Sequence, residues 1–94
     1  MEVAIEKITP FTSRHGGECL RISGHHINEQ GQLEPGYTFV DPANDNAQDW
    51  ADVIDTVLRN RGRYVICSGV SMKSRAKGLW SADSKPRVTD IVNK

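Results

Sequence analysis

Residues 44–62 read NDNAQDWADVIDTVLRNRG, and this stretch predicts the element against which the rest of the chain must pack. Its apolar residues recur at three- and four-residue spacing, which places them along one side of an α-helix over about 45–61. Asn44 or Asp45 can cap the start, because a short side-chain oxygen accepts a hydrogen bond from a first-turn N–H. Gly62 can take the left-handed conformation that ends a helix. An amphipathic helix buries its apolar side only against other elements, so the flanking segments must supply a sheet.

The segments on either side of the helix predict strands. Residues 2–8 alternate charged and apolar side chains, and residues 19–27 follow a turn that contains two glycines, so these two runs predict an antiparallel hairpin. A short aromatic and β-branched run at 37–40 predicts a third strand. After the helix, residues 63–67 include a continuous apolar run that is typical of an interior strand. The tail 87–94 is rich in Val, Thr and Ile, which favours a final strand.

Between the last two predicted strands, residues 68–87 predict a long basic loop. They hold two glycines, five serines and five basic residues, with few large apolar side chains. The whole chain then reads β-β-β-α-β-loop-β. This order predicts a single α+β domain over residues 1–94, with a mainly antiparallel sheet and one amphipathic helix packed on it.

Composition excludes several classes of protein. The hydrophobic fraction of 37% is ordinary for a globular domain, and 2 cysteines without a C-x-x-C spacing do not make a disulfide scaffold. No run approaches the roughly 18 apolar residues of a membrane-spanning helix. The N-terminus lacks the basic start and apolar core of a secretory signal. We therefore expect a soluble, cytoplasmic protein with no membrane contact.

Net charge is zero, but the charges are divided unevenly along the chain. Residues 1–57 hold ten acidic and three basic residues, while residues 58–94 hold nine basic and two acidic residues. Asp49, Asp52 and Asp55 fall on the outward side of the predicted helix. An acidic face of this kind attracts a basic protein partner or the basic half of a second copy, although it is equally the ordinary solvated side of a helix. A protein–protein contact through these aspartates is our first functional hypothesis.

The basic half supports a second hypothesis, nucleic-acid binding. Cationic side chains neutralise phosphates, and an aromatic ring stacks on an exposed base. The residues of this predicted surface are Arg61, Arg63, Lys73, Arg75, Lys77 and Trp80. The alternative is that Trp80 anchors the loop to the core and that the lysines are simply solvated.

The third hypothesis is a small enzyme whose site is not visible in the sequence. Our expectation is that the protein is not an enzyme and uses no metal or cofactor, since no catalytic residue can be named. His15, Cys19, His25 and His26 are zinc-ligating residue types, but their spacing matches no zinc motif. Neighbouring strand residues also point to opposite faces, so His25 and His26 would not share one ion. No nucleophile elbow, phosphate-binding loop or zinc-protease motif is present. In size and in this lack of signatures the chain resembles small accessory proteins of bacteria and phages, with no particular residue carrying that resemblance.

Overall fold

Five strands and one helix make up the fold in a computed structural model, which describes residues 1–43 and 46–94. The elements in chain order are β1 Val3–Thr12, β2 Glu18–Ile27, β3 Leu33–Val40, α1 Asn46–Arg59, β4 Arg63–Ser74 and β5 Leu79–Asn93. The predicted helix caps, Asn44 and Asp45, lie outside the described residues. Gly62, which was predicted to end the helix, has a φ of 85° and follows α1 in the turn to β4.

The strands form one closed barrel in the order β1-β2-β3-β5-β4. Neighbouring strands run antiparallel except β3 and β5, which run parallel and meet at Tyr37 and Leu79. β1 completes the barrel by pairing with β4 from Val3 to Ile5. A bulge between Ile5 and Lys7 bends β1, because an extra residue in one strand increases its local twist. This bend lets one strand pair with β4 on one side and with β2 on the other.

The core is the barrel interior together with the inner side of α1. Trp50, Val53 and Val57 of the helix are buried there. Side chains from all five strands meet them, and the buried strand residues are Val3, Ile5, Ile22, Val40, Val65, Cys67, Val70 and Trp80. Because successive strand residues point to opposite faces, filling the interior with these residues fixes which side chains of each strand point outward.

The predicted α+β class is wrong. Strands take up 60% of the chain and the helix only 14%, so the protein is mostly sheet. The sheet also closes on itself into a barrel. The difference arises in the C-terminal half, where β4 and β5 are 12 and 15 residues long.

The predicted loop over 68–87 is wrong for the same reason. β4 continues to Ser74 and β5 starts at Leu79, so only a four-residue turn, 75–78, separates them. Val70 and Trp80 point into the barrel and are buried. Glycines and serines on the intervening positions have low strand propensity, but packing in the core overrides that preference.

The N-terminal hairpin and the C-terminal strand were predicted correctly. β1 and β2 pair antiparallel from Val3 and His26 to Thr12 and Glu18. The tail belongs to β5, which pairs with β4 out to Asn93.

Candidate functional site

Three aromatic rings form a row on the outside of the barrel, one from β1 and two from β3; two of the rings are exposed and Tyr37 is half-buried. Phe11 and Phe39 have ring centroids 4.7 Å apart, and Phe39 and Tyr37 have centroids 5.5 Å apart. Phe11 is 44% exposed and Phe39 is 37% exposed. The Arg21 guanidinium of β2 lies 5.0 Å from the centroid of the Tyr37 ring. We call these four residues the aromatic platform.

The platform follows from strand alternation in β3. Gly36, Thr38 and Val40 are buried and point inward, so Tyr37 and Phe39 must point outward. Arg21 is directly opposite Phe39 in the β2–β3 register, which brings its side chain to the same face. Large apolar rings usually fill a core, so an outward row of them makes this face a candidate binding surface.

Sequence reasoning missed the platform. The run Tyr37 to Val40 was recognised as a strand, but its two aromatic rings were not assigned to the outer face. Phe11 lies beyond the predicted end of the first strand. The sequence pattern that could have located the platform is the alternation of Gly36, Thr38 and Val40 with the two rings. This pattern is informative only when it is known which of these residues point into the barrel.

Part of the predicted basic surface lies next to the platform. Lys73, Arg75 and Lys77 are exposed in and beside the turn between β4 and β5. We call these three residues the basic turn. The backbone N–H of Tyr37 donates a 2.9 Å hydrogen bond to the carbonyl of Gly78, which fixes this turn beside the platform. The Arg75 guanidinium pairs with the Glu29 carboxylate of the β2–β3 turn.

Arg61 and Arg63 do not join the basic turn. Arg61 precedes β4 and Arg63 begins it, whereas Lys73 lies near its end, ten residues further along the strand. Arg61 lines a different pocket, with Lys7 and Lys94. The five basic residues of the predicted surface therefore form two separate groups at the two ends of β4.

Trp80 is a core residue. It is 1% exposed, and its indole N–H donates a 3.1 Å hydrogen bond to Nδ1 of the buried His26. The other imidazole nitrogen of His26 is 3.3 Å from Oε2 of Glu34. The Trp80 ring therefore has no exposed face on which a base could stack.

The three aspartates of α1 are exposed but differ in their surroundings. The Asp55 carboxylate lies 3.2 Å from Nε of Arg59, one helical turn away. Asp52 is exposed to solvent. Asp49 lines a pocket of about 340 Å³ that it shares with Phe39 and Lys73, so it lies at the edge of the platform.

The cysteines and histidines do not form a metal site. Among the described residues there is no group of three or more His, Cys, Asp or Glu side chains placed to hold an ion. Cys67 is fully buried, and burial, with a smaller contribution from the Glu2 carboxylate, raises the pKa of its thiol to about 12. Cys19 is half-buried and lies across the strand pair from Phe11.

A second exposed apolar surface crosses the other end of the barrel. It is a groove of about 330 Å³ lined by Ala4, His25, Leu33, Tyr64, Ile66 and Val92. We call it the apolar groove. Leu33 is 70% exposed, and the neighbouring Ile27, its partner in the β2–β3 register, is 65% exposed. His25 of this groove lies 3.8 Å from the Glu6 carboxylate, which is also 3.7 Å from the Lys94 ammonium.

Comparison of the chain with protein-family models, with curated proteins and with solved structures returns no match. Within residues 1–43 and 46–94, the helix is too short and too polar to cross a membrane.

Proposed function

We propose that this protein binds single-stranded nucleic acid on the aromatic platform. The row of Phe11, Phe39 and Tyr37 beside Arg21, in which Phe11 and Phe39 are exposed, carries the proposal. Each unpaired base offers a flat face that stacks on an aromatic ring, and an arginine adds a cationic contact. In a duplex the bases already stack on one another, so a surface of this kind favours single strands.

The architecture supports the same function by analogy. The barrel has the strand number and the helix between β3 and β4 that are typical of the OB-fold, a five-stranded Greek-key barrel. Proteins of that fold bind oligonucleotides or oligosaccharides on the face of β2 and β3, between the β1–β2 and β4–β5 turns. The platform and the basic turn occupy these positions. A shared fold does not fix a function, so the exposed rings carry more weight than the topology.

The basic residues around the platform are suitably placed to contact the phosphates of a bound strand. Lys73 and Lys77 are exposed in the basic turn, and Arg14 is exposed in the turn between β1 and β2. These positions flank the rings on two sides, so a strand whose bases stack on the platform can place phosphates near them. A neutral protein can therefore bind a polyanion, because the local charge near the phosphates matters more than the total.

Replacement of Phe39 by alanine tests the proposal. Phe39 is the central ring of the row, so we expect Phe39→Ala to weaken binding of a fluorescent oligothymidine of about twelve nucleotides by about tenfold or more. Fluorescence anisotropy at low salt measures the affinity, and circular dichroism checks that the variant is folded. Leu58→Ala is the control, since Leu58 is 46% exposed on α1 and lies outside the platform. Equal affinity of Phe39→Ala and the parent would contradict the proposal.

A protein contact is the second candidate function, and the apolar groove favours it. Exposed apolar patches on a folded domain mark surfaces that bind other proteins. The acidic helix adds less support, because Asp55 already pairs with Arg59 and Asp49 belongs to the pocket beside the platform. The groove lies at the opposite ends of β1 and β2 from Phe11, so the two candidate functions use different surfaces.

A further inference from the structure

The pocket beside Phe39 is suited to hold one nucleotide of a bound strand. It measures about 340 Å³ and lies between the first turn of α1 and the strands β3 and β5. Phe39 contributes a ring shared with the platform, and Leu79 adds a half-buried apolar side chain in front of the buried Trp80 ring. A base that leaves the stack next to Phe39 therefore finds a pocket beside the platform, without crossing the barrel.

The two charged side chains at this pocket, Lys73 and Asp49, have opposite charges and can contact different parts of a nucleotide. Lys73 is exposed at the rim and provides a cation for a phosphate. Asp49 provides two acceptor oxygens and no donor. In the described part of the chain its carboxylate makes no ion pair, whereas Asp55 on the same helix is paired with Arg59. A carboxylate repels phosphates, so its presence in a nucleic-acid site suggests that it contacts a base.

We infer that this pocket takes a guanine base, whose Watson–Crick edge donates two hydrogen bonds to the Asp49 carboxylate. This inference rests on the proposed function. Guanine presents adjacent N1–H and N2–H donors, which match the two oxygens of a carboxylate. Adenine and cytosine each present a single donor group beside an acceptor, and thymine and uracil place one donor between two acceptors. Splayed bases in single strands are commonly read through hydrogen bonds on this edge.

Asp49 also lies in the first turn of α1, where a negative charge stabilises the helix. That role alone predicts an effect on stability and no effect on the choice of base. The two roles are therefore separated by a base-dependent affinity. Asp52 supplies the matched control, because Asp52→Asn removes the same charge from the same helix while leaving the pocket unchanged.

The experiment compares an oligothymidine of about twelve nucleotides with the same strand carrying one central deoxyguanosine, deoxyadenosine or deoxyinosine. Anisotropy titrations are made on the parent, Asp49→Asn and Asp52→Asn. We expect the deoxyguanosine strand to bind the parent about tenfold more tightly than the deoxyadenosine strand, which is typical of a good bidentate contact. Deoxyinosine lacks the N2 amino group and should fall between them. Asp49→Asn should remove most of the preference, and Asp52→Asn should retain it.

Each alternative result overturns a defined part of the argument. Binding of all strands with no guanine preference overturns the inference but leaves the proposed function standing. A guanine preference that persists in Asp49→Asn shows that another group reads the base, and it also overturns the inference. Failure of every strand, including the guanine strand, to bind the folded parent at low salt overturns both the inference and the proposed function.

Discussion

At the scale of single residues, Gly36 and Trp80 illustrate how closely the barrel is packed behind the platform. A Cβ atom added at Gly36 would lie 2.2 Å from Nε1 of Trp80. Real Cβ atoms do not approach a ring this closely, so no other residue fits at this position without moving the indole. The absence of a side chain therefore allows β3 to lie directly on Trp80 while Tyr37, the next residue, faces outward.

The two cysteines give a prediction about reactivity. Only the thiolate attacks thiol reagents, and burial of Cys67 disfavours its charged form. We expect one fast-reacting thiol per native chain at neutral pH, belonging to the half-buried Cys19, and one slow thiol that reacts on unfolding. A colorimetric disulfide reagent measures both rates. Cys19→Ser should lose the fast phase, and two fast thiols in the parent would contradict the burial of Cys67.

The same shift sets a pH dependence of stability. The thiol pKa rises from 9.0 to about 12 on folding, so above pH 9 the unfolded chain loses this proton while the folded chain keeps it. The free energy of unfolding therefore falls as pH rises from 9 towards 12, by about 1.4 kcal/mol for each pH unit from this group alone. Cys67→Ala lacks this contribution. Urea titrations of this variant and the parent between pH 9 and pH 12 give their difference in free energy of unfolding, and the change of that difference with pH measures the contribution of the Cys67 thiol.

At the scale of elements, the two ends of β4 separate the basic residues into groups with different expected effects. The basic turn adjoins Tyr37 through Gly78, whereas Arg61 and Arg63 precede or open the strand at its far end. If single-stranded nucleic acid lies on the platform, only the basic turn is close enough to contact its phosphates. The structure thus divides a set of residues that the sequence placed in one surface.

This division predicts a difference in salt dependence. Each lost phosphate contact should flatten the slope of log affinity against log salt concentration by about 0.7 for a single strand. We expect the triple substitution of Lys73, Arg75 and Lys77 by alanine to flatten the slope by up to about 2. The double substitution of Arg61 and Arg63 by alanine should leave it close to that of the parent.

Anisotropy titrations at several salt concentrations give both slopes. Equal slopes for the triple variant and the parent would remove the basic turn from the binding surface. A larger effect of the Arg61 and Arg63 substitutions would show that the nucleic acid binds at the other end of β4. Arg75 is paired with Glu29, so its share of the effect should be smaller than that of either lysine.

At the scale of the whole molecule, barrel closure decides which surfaces remain for partners. Within residues 1–43 and 46–94 every strand has a neighbour on each side, although β3 and β5 pair only at Tyr37 and Leu79. We therefore expect contacts with partners to use mainly outward side chains. The outward apolar side chains concentrate in the aromatic platform and the apolar groove, at different ends of the barrel.

The apolar groove predicts self-association through a two-fold interface. Its lining is mainly apolar and Leu33 is 70% exposed, so the same surface of a second copy can cover it. We expect a reversible dimer in sedimentation velocity as the concentration is raised. Leu33→Glu should abolish it, because a charge would then be buried at the interface. Leu58→Glu is the control outside the groove, and a parent that stays monomeric at every concentration would contradict the prediction.

Local patterns in the sequence were sufficient for several elements. The spacing of Trp50, Val53 and Val57 predicted the helix, because a period of 3.6 residues is visible without any partner. Alternation in β1 and β2 predicted the first hairpin in the same way. These are properties of neighbouring residues, and so one chain segment contains all the information that they need.

Tertiary structure alone decided the closure of the barrel and the location of the candidate sites. The serines and glycines of residues 68–87 become strand because Val70 and Trp80 fill the barrel, an effect of distant partners that local propensity does not contain. Closure then turns Tyr37 and Phe39 outward, brings Phe11 beside them and places Asp49 and Lys73 at one pocket. The sequence by itself determined which segments form the helix and the first hairpin. Three-dimensional packing determined which side chains lie together on the surface, because the outward-facing side chains of a strand are known only when the side chains that fill the barrel are known.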